Sequence, residues 1–131
     1  MNRFLFFLLV LFISQTCIAG ELSDTCHHFK TGKFSYRDSS GIITSITRTK
    51  KQQTEINSKT GLLTKSKISW VGECEYRLTQ TWANSKEGRK NNRRQITINI
   101  TRIAGNSYEY ACSCNDKANT TIQGVVVKLS D

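Results

Sequence analysis

Trp70-Val71-Gly72-Glu73-Cys74-Glu75-Tyr76-Arg77-Leu78-Thr79-Gln80-Thr81-Trp82 alternates from Cys74 onward. Cys74, Tyr76, Leu78 and Trp82 share one face, with Gln80 as the exception. Glu73, Glu75, Arg77, Thr79 and Thr81 take the other. A period of two marks a strand with one face on a core and one in water. The stretch holds both Trp residues, so it is expected at the centre of the packed interior.

Outward from this strand, no segment sustains a helical period, and Thr, Ile, Val and Ser dominate. Proline is absent, so turns depend on Gly, Asn, Asp and Ser, as at Asp38-Ser39-Ser40-Gly41 and Asn57-Ser58-Lys59-Thr60-Gly61. The punctuation predicts about eight strands, near 33–38, 42–49, 52–57, 62–70, 74–82, 94–103, 108–114 and 121–129. Face parity favours a three-residue turn at Val71-Gly72-Glu73, with Trp70 opposite Cys74, Ile68 opposite Tyr76, Ser66 opposite Leu78 and Leu62 opposite Trp82. At Ala104-Gly105-Asn106 two registers compete. A two-residue turn pairs Arg102 with Glu109 and Ile103 with Tyr108; a three-residue turn pairs Ile100 with Tyr110 and Ile98 with Cys112, and is favoured slightly. Short strands with no covering helix prefer closure, which removes exposed edges. The expected fold is all-β: one antiparallel meander forming a closed or partly closed up-and-down barrel of calycin-like form.

The N-terminus carries Arg3 and an apolar run from Phe4 to Ile13, followed by the small residues around Ala19 and Gly20. This predicts a cleaved secretory signal peptide over residues 1–20, ahead of a single β domain over 21–131. No membrane span is expected after processing, and the expected location is periplasmic or extracellular. Lipidation at Cys17 is disfavoured, since Ser14-Gln15-Thr16 lacks the aliphatic residue that such processing needs. Removing the signal leaves Cys26, Cys74, Cys112 and Cys114, which in an exported domain read as disulfide cysteines. Cys112 and Cys114 are two apart, roughly 7 Å along a strand, which disfavours a bond between them. Without a CxxC, zinc is disfavoured.

The net charge is +9, falling to +8 without Arg3 (9 − 1). The densest run, Lys86 to Arg94, reads as a loop that is either a solvated hairpin tip or a contact for an anionic envelope surface. No basic motif interleaved with aromatics points to nucleic acid. A monomer is expected.

Thr47-Arg48-Thr49-Lys50-Lys51-Gln52-Gln53-Thr54-Glu55 is the polar segment with specific geometry. With Lys50-Lys51 as a two-residue turn, Arg48 lies across from Gln53, and Glu55 sits diagonally on the same face. Facing inward, they form a hydrogen-bonded cluster in which Arg48 must be paired. That cluster either fixes register or anchors the polar head of a small ligand, with Trp70, Tyr76 and Gln80 as further candidate contacts. His27-His28 near Asp24 reads as solvated surface. Glu73 and Glu75 face outward without a pocket. No phosphate loop, nucleophile elbow or HExxH occurs, so no cofactor, metal or catalytic activity is expected.

Cys26 and Phe29-Lys30-Thr31-Gly32-Lys33-Phe34, then Ile46-Thr47-Arg48, Gln53-Thr54-Glu55, Ile68-Ser69-Trp70 and Cys74-Glu75-Tyr76-Arg77-Leu78 carry a resemblance. Over residues 26–82 the chain resembles a group of small exported bacterial proteins without established function, some bearing a misplaced topoisomerase label. The resemblance implies a Cys26–Cys74 disulfide and brings no activity or ligand. Cys112 and Cys114 lie outside the shared pattern, so a second bond is left open.

Two functional expectations follow. One is a binding barrel for a small apolar or amphiphilic, lipid-like ligand. The other is a filled-core envelope or interaction protein whose basic surface meets an anionic partner. A connected cavity of about 300 Å³ or more separates them.

Overall fold

Eight strands pair in chain order, and the first closes onto the last as an antiparallel barrel. The computed structural model describes residues 26–112 and 122–131. The expected signal peptide with Cys17 lies outside the described residues, as does Cys114. The strands are β1 Gly32–Arg37, β2 Ile43–Arg48, β3 Gln52–Asn57, β4 Leu63–Trp70, β5 Glu75–Ala83, β6 Gln95–Ala104, β7 Ser107–Cys112 and β8 Ile122–Ser130. Among the described residues no helix is long and apolar enough to cross a membrane.

The turn chemistry accounts for the β1–β2 and β3–β4 connections. The Asp38 carboxylate accepts from the backbone N–H groups of Ser40 and Ile42, and Asn57 Oδ1 accepts from those of Lys59 and Thr60. Gly41 and Gly61 then supply positive φ, which costs little without a Cβ. Lys50-Lys51 forms the expected tight turn, and Arg48 pairs with Gln53.

The central hairpin differs from its expected register in two ways. Trp70 pairs with Tyr76, Ile68 with Leu78 and Ser66 with Gln80, a slip of two residues that preserves every face. Cys74 lies outside the strand, bonded to Cys26, and its carbonyl accepts from the Ile100 N–H at 2.9 Å. The second difference is a bulge at Thr81, after which Lys65 pairs with Trp82 and Thr64 with Ala83. An extra residue on one strand inverts parity. Trp82 therefore turns outward at 42% exposure, with the Lys65 ammonium over its ring, and Ala83 turns inward. Trp82, expected on the core face with Cys74, Tyr76 and Leu78, is thus a surface residue.

β6 and β7 use both candidate registers. Arg102–Glu109 and Ile103–Tyr108 flank a two-residue Gly105-Asn106 turn, while Ile100–Tyr110 and Ile98–Cys112 pair beyond it. A bulge at Thr101 joins them. The Lys86-to-Arg94 connection, expected as plain loop, contains a one-turn helix, α1 (Lys86–Arg89), whose N-cap Ser85 accepts from Gly88 N–H.

The barrel has a closed end and an open end. A 3₁₀ turn, His27–Phe29, seals the end bearing the β2–β3, β4–β5 and β6–β7 turns, and buries Phe29. The largest fully buried side chains are Tyr108, Phe29, Phe34, Cys26 and Cys112. The core thus joins β1, β7 and the plug to Tyr76 and Leu78 of the Trp70–Trp82 stretch. The Cys26–Cys74 bond spans 48 residues and ties the plug to the barrel; it is compatible with an oxidising, exported location. Cys112 is also disulfide-bonded. Replacing both Cys26 and Cys74 by Ala is expected to destabilise the protein by about 2–5 kcal/mol through lost chain restriction. Urea midpoints of the oxidised proteins test this, and coincident curves would refute it.

Candidate functional site

Arg48 points into the closed end and is 2% exposed. A guanidinium has five N–H donors and no acceptor, so its burial requires acceptors on several sides. Its Nε donates to Gln53 Oε1 at 2.8 Å, and Nη1 donates to the Phe29 carbonyl at 2.7 Å. Its Nη2 donates to the hydroxyls of Tyr76 and Tyr108, both at 3.1 Å. The guanidinium also lies 4.7 Å from the ring centroids of both Phe34 and Tyr76, a cation–π arrangement. Burial by itself would lower the Arg48 pKa, but the Tyr76 and Tyr108 phenols reverse the balance and raise it. Burial also pushes the Tyr76 hydroxyl well above its ordinary range, with Tyr108 adding to the effect and Arg48 opposing it.

The chain of bonds continues upward. Because Arg48 only donates, Gln53 must present its oxygen to it, which directs Nε2 to Glu55 Oε1 at 2.6 Å. Arg48, Gln53 and Glu55 thus form the inward cluster that their spacing suggested, with Glu55 half-buried at its upper end.

Above the cluster lies an interior cavity of about 210 Å³ with a mixed lining, including Ile46, Glu55, Tyr76, Leu78, Tyr110 and Val126. A wider pocket of about 430 Å³ opens at the mouth, lined by Thr64, Ser66, Gln80, Asn91 and Arg94 among others. Glu55, Leu78 and Ile96 border both spaces.

Gln80, the break in the β5 alternation, lies at this mouth. Its Nε2 donates to the Gly88 carbonyl at 2.8 Å and to Asn92 Oδ1 at 2.9 Å, fastening the α1 connection to the barrel. Trp70 lies at the opposite end, half-buried against Tyr76 with the Lys30 ammonium 5.2 Å from its ring centroid. The structure therefore gathers Arg48, Gln53, Glu55 and Tyr76 in one interior network and leaves Trp70 and Gln80 at separate ends.

Several site residues escaped the sequence reading. Tyr108 completes the Arg48 shell only because β7 lies across the lumen. Lys128 is 6% exposed, and its ammonium donates to the His28 carbonyl at 2.7 Å and to Asp131. It is a second buried cation on the plug, hidden in the run Val125-Val126-Val127-Lys128-Leu129, whose parity is ambiguous. Gly32, with φ of +126°, admits this side chain, since a Cβ there would stand 2.8 Å from Lys128 Cε and 2.5 Å from the Ser130 carbonyl oxygen. Gly124 leaves room for the Tyr36–Tyr110 pair; a Cβ would fall 2.7 Å from Tyr36 and 2.9 Å from Tyr110. Burial and the Tyr36 phenol push the Tyr110 hydroxyl far above its usual value.

Among the described residues no cluster of three His, Cys, Asp or Glu side chains could hold a metal ion. Comparison with protein-family models, curated proteins and solved structures found no match.

Arg48→Met is expected to destabilise the fold by roughly 3–5 kcal/mol, because Gln53 Oε1 and the Phe29 carbonyl lose the donors they accept from, and the Tyr76 and Tyr108 hydroxyls keep only each other. Arg48→Lys is expected to restore only part, since an ammonium cannot reproduce the fork. Chemical denaturation of both variants measures this, and a loss below about 1 kcal/mol for Arg48→Met would contradict the network.

Alkaline pH tests the phenols. The folded-state pKa values of Tyr76 and Tyr110 are raised above the ordinary 10.0, so above that pH the folded state retains protons that the unfolded chain releases. Stability from this source is complete below about pH 10 and is lost as pH rises through the folded values. Phenolate absorbance should show the slow-titrating tyrosines ionising together with unfolding. Independent ionisation near pH 10 would show that the phenols are solvated.

Proposed function

We propose that the protein is a non-catalytic binding module, an exported β-barrel that takes a small amphiphilic ligand through its open end. The observation that carries this reading is the pair of spaces, about 430 and 210 Å³, that share Glu55, Leu78 and Ile96. Together they exceed the volume needed to accept a small ligand and combine apolar walls with a few polar groups, as binding sites do. A filled core would have brought these walls into contact.

Arg48 serves this site indirectly. Four of its N–H groups are already engaged within the protein, so it holds the floor rigid and leaves the contact to residues above it. The reading includes a monomer in the periplasm or outside the cell, freed from residues 1–20 without lipidation at Cys17, and the Cys26–Cys74 disulfide is compatible with that location.

A second reading rests on the α1 connection. Residues 84–94 carry Lys86, Arg89, Lys90, Arg93 and Arg94 against Glu87, a net +4 (5 − 1) beside the mouth. This surface could meet an anionic envelope component, and such contact is screened by salt.

The two readings separate in solution. Titration with 1-octanol, octylamine and octanoate, followed by amide NMR shifts, is expected to perturb Thr64, Leu78 and Ile96 saturably for at least one probe. Thr64→Trp should block that response while shifting the melting temperature by only a few degrees. If no probe perturbs these residues and the protein instead sediments with phosphatidylglycerol vesicles at low salt, the surface reading replaces the binding barrel.

A further inference from the structure

Glu55 stands where the two spaces meet, with its environment fixed from below. The Arg48 fork orients Gln53, and the oriented Gln53 amide occupies Glu55 Oε1. Its position is therefore set by the fold, as a binding group requires. The carboxylate is half-buried, and no ion pair to it forms among the described residues. A carboxylate accepts several hydrogen bonds, and one amide donor does not satisfy it. The walls beside it are apolar, notably Leu78 and Ile96.

From this geometry we propose that Glu55 is the polar anchor of the site and that the ligand carries a primary ammonium group on a short apolar body. The inference rests on the binding-module reading and narrows it to a chemical class. The ammonium seats on Glu55 at the junction, where a charge-assisted bond in a partly desolvated site is stronger than one in water. The apolar body lies along Leu78 and Ile96. An anionic head is disfavoured there, since it would face the Glu55 carboxylate across a narrow space. The cations of the α1 connection oppose an approaching ammonium only weakly, because Arg93 and Arg94 are exposed and screened. Arg94 borders only the mouth pocket, whereas Glu55 also borders the inner cavity.

Calorimetric titration with octylamine, 1-octanol and octanoate tests this. Octylammonium is expected to bind the native protein about tenfold more tightly than either other probe. Glu55→Gln preserves an acceptor for the Gln53 amide and removes the charge, so it should bring the three affinities within about twofold. If octanoate or 1-octanol matches octylammonium, or if the preference survives Glu55→Gln, the anchor assignment is overturned while the binding barrel stands. If none of the probes binds, the binding-module reading fails and this inference with it. Should Glu55→Gln not fold, nuclear Overhauser contacts in the native complex decide. Contacts from the methylene beside the ammonium to Gln53 and Glu55 support the assignment, and contacts confined to Asn91 and Arg94 refute it.

Discussion

A permanently charged guanidinium inside a small barrel is the constraint that the rest of the structure satisfies. Arg48 cannot shed its proton, and burial without partners would cost many kcal/mol. The fold meets the demand from four directions: β3 supplies Gln53, β5 supplies Tyr76, β7 supplies Tyr108 and the N-terminal plug supplies the Phe29 carbonyl. One side chain therefore fixes strands from opposite walls relative to one another. The plug is held three times, by Arg48, by Lys128 through His28 and by the disulfide at Cys26. That redundancy suits a chain whose apolar core is modest for its surface.

The same constraint divides the barrel into two ends. Aromatic and cationic groups fill the closed end, while smaller polar side chains such as Thr64 and Ser66 line the open one and leave space. Gly124 lets the Tyr36 and Tyr110 rings pack against the β8 backbone, where a Cβ would meet both. Glu55 sits between the ends, tied to the rigid floor yet bordering the accessible volume. Rigidity below and room above are what a small-ligand site needs. The mouth is fastened through Gln80, whose amide holds the α1 connection and makes a polar residue useful on an otherwise apolar face.

Bulges explain why local patterning misjudged particular residues. Alternation assumes an unbroken ladder, and a single extra residue reverses it. At Thr81 this exposes Trp82, and at Thr101 it reconciles two registers that appeared mutually exclusive. The slip of two at Trp70–Tyr76 left the faces intact, so the sequence could not register it. The slip leaves Cys74 in the turn, where its bond to Cys26 joins segments 48 residues apart in the chain.

What the sequence determined by itself was local and periodic: the strands, most of the turns, the all-β closed barrel, and the shared inward face of Arg48, Gln53 and Glu55. These follow from period-two alternation, turn-forming residues and the tight Lys50-Lys51 turn, all within about ten residues of one another. Only the tertiary structure decided that Tyr108 and Phe29 complete the Arg48 shell, that Lys128 is buried, that Trp82 is not, and that the upper lumen retains space. Each of these depends on closure of β8 onto β1 and on bulges whose positions are set by packing across the barrel. No alternation within a single strand encodes what lies opposite it.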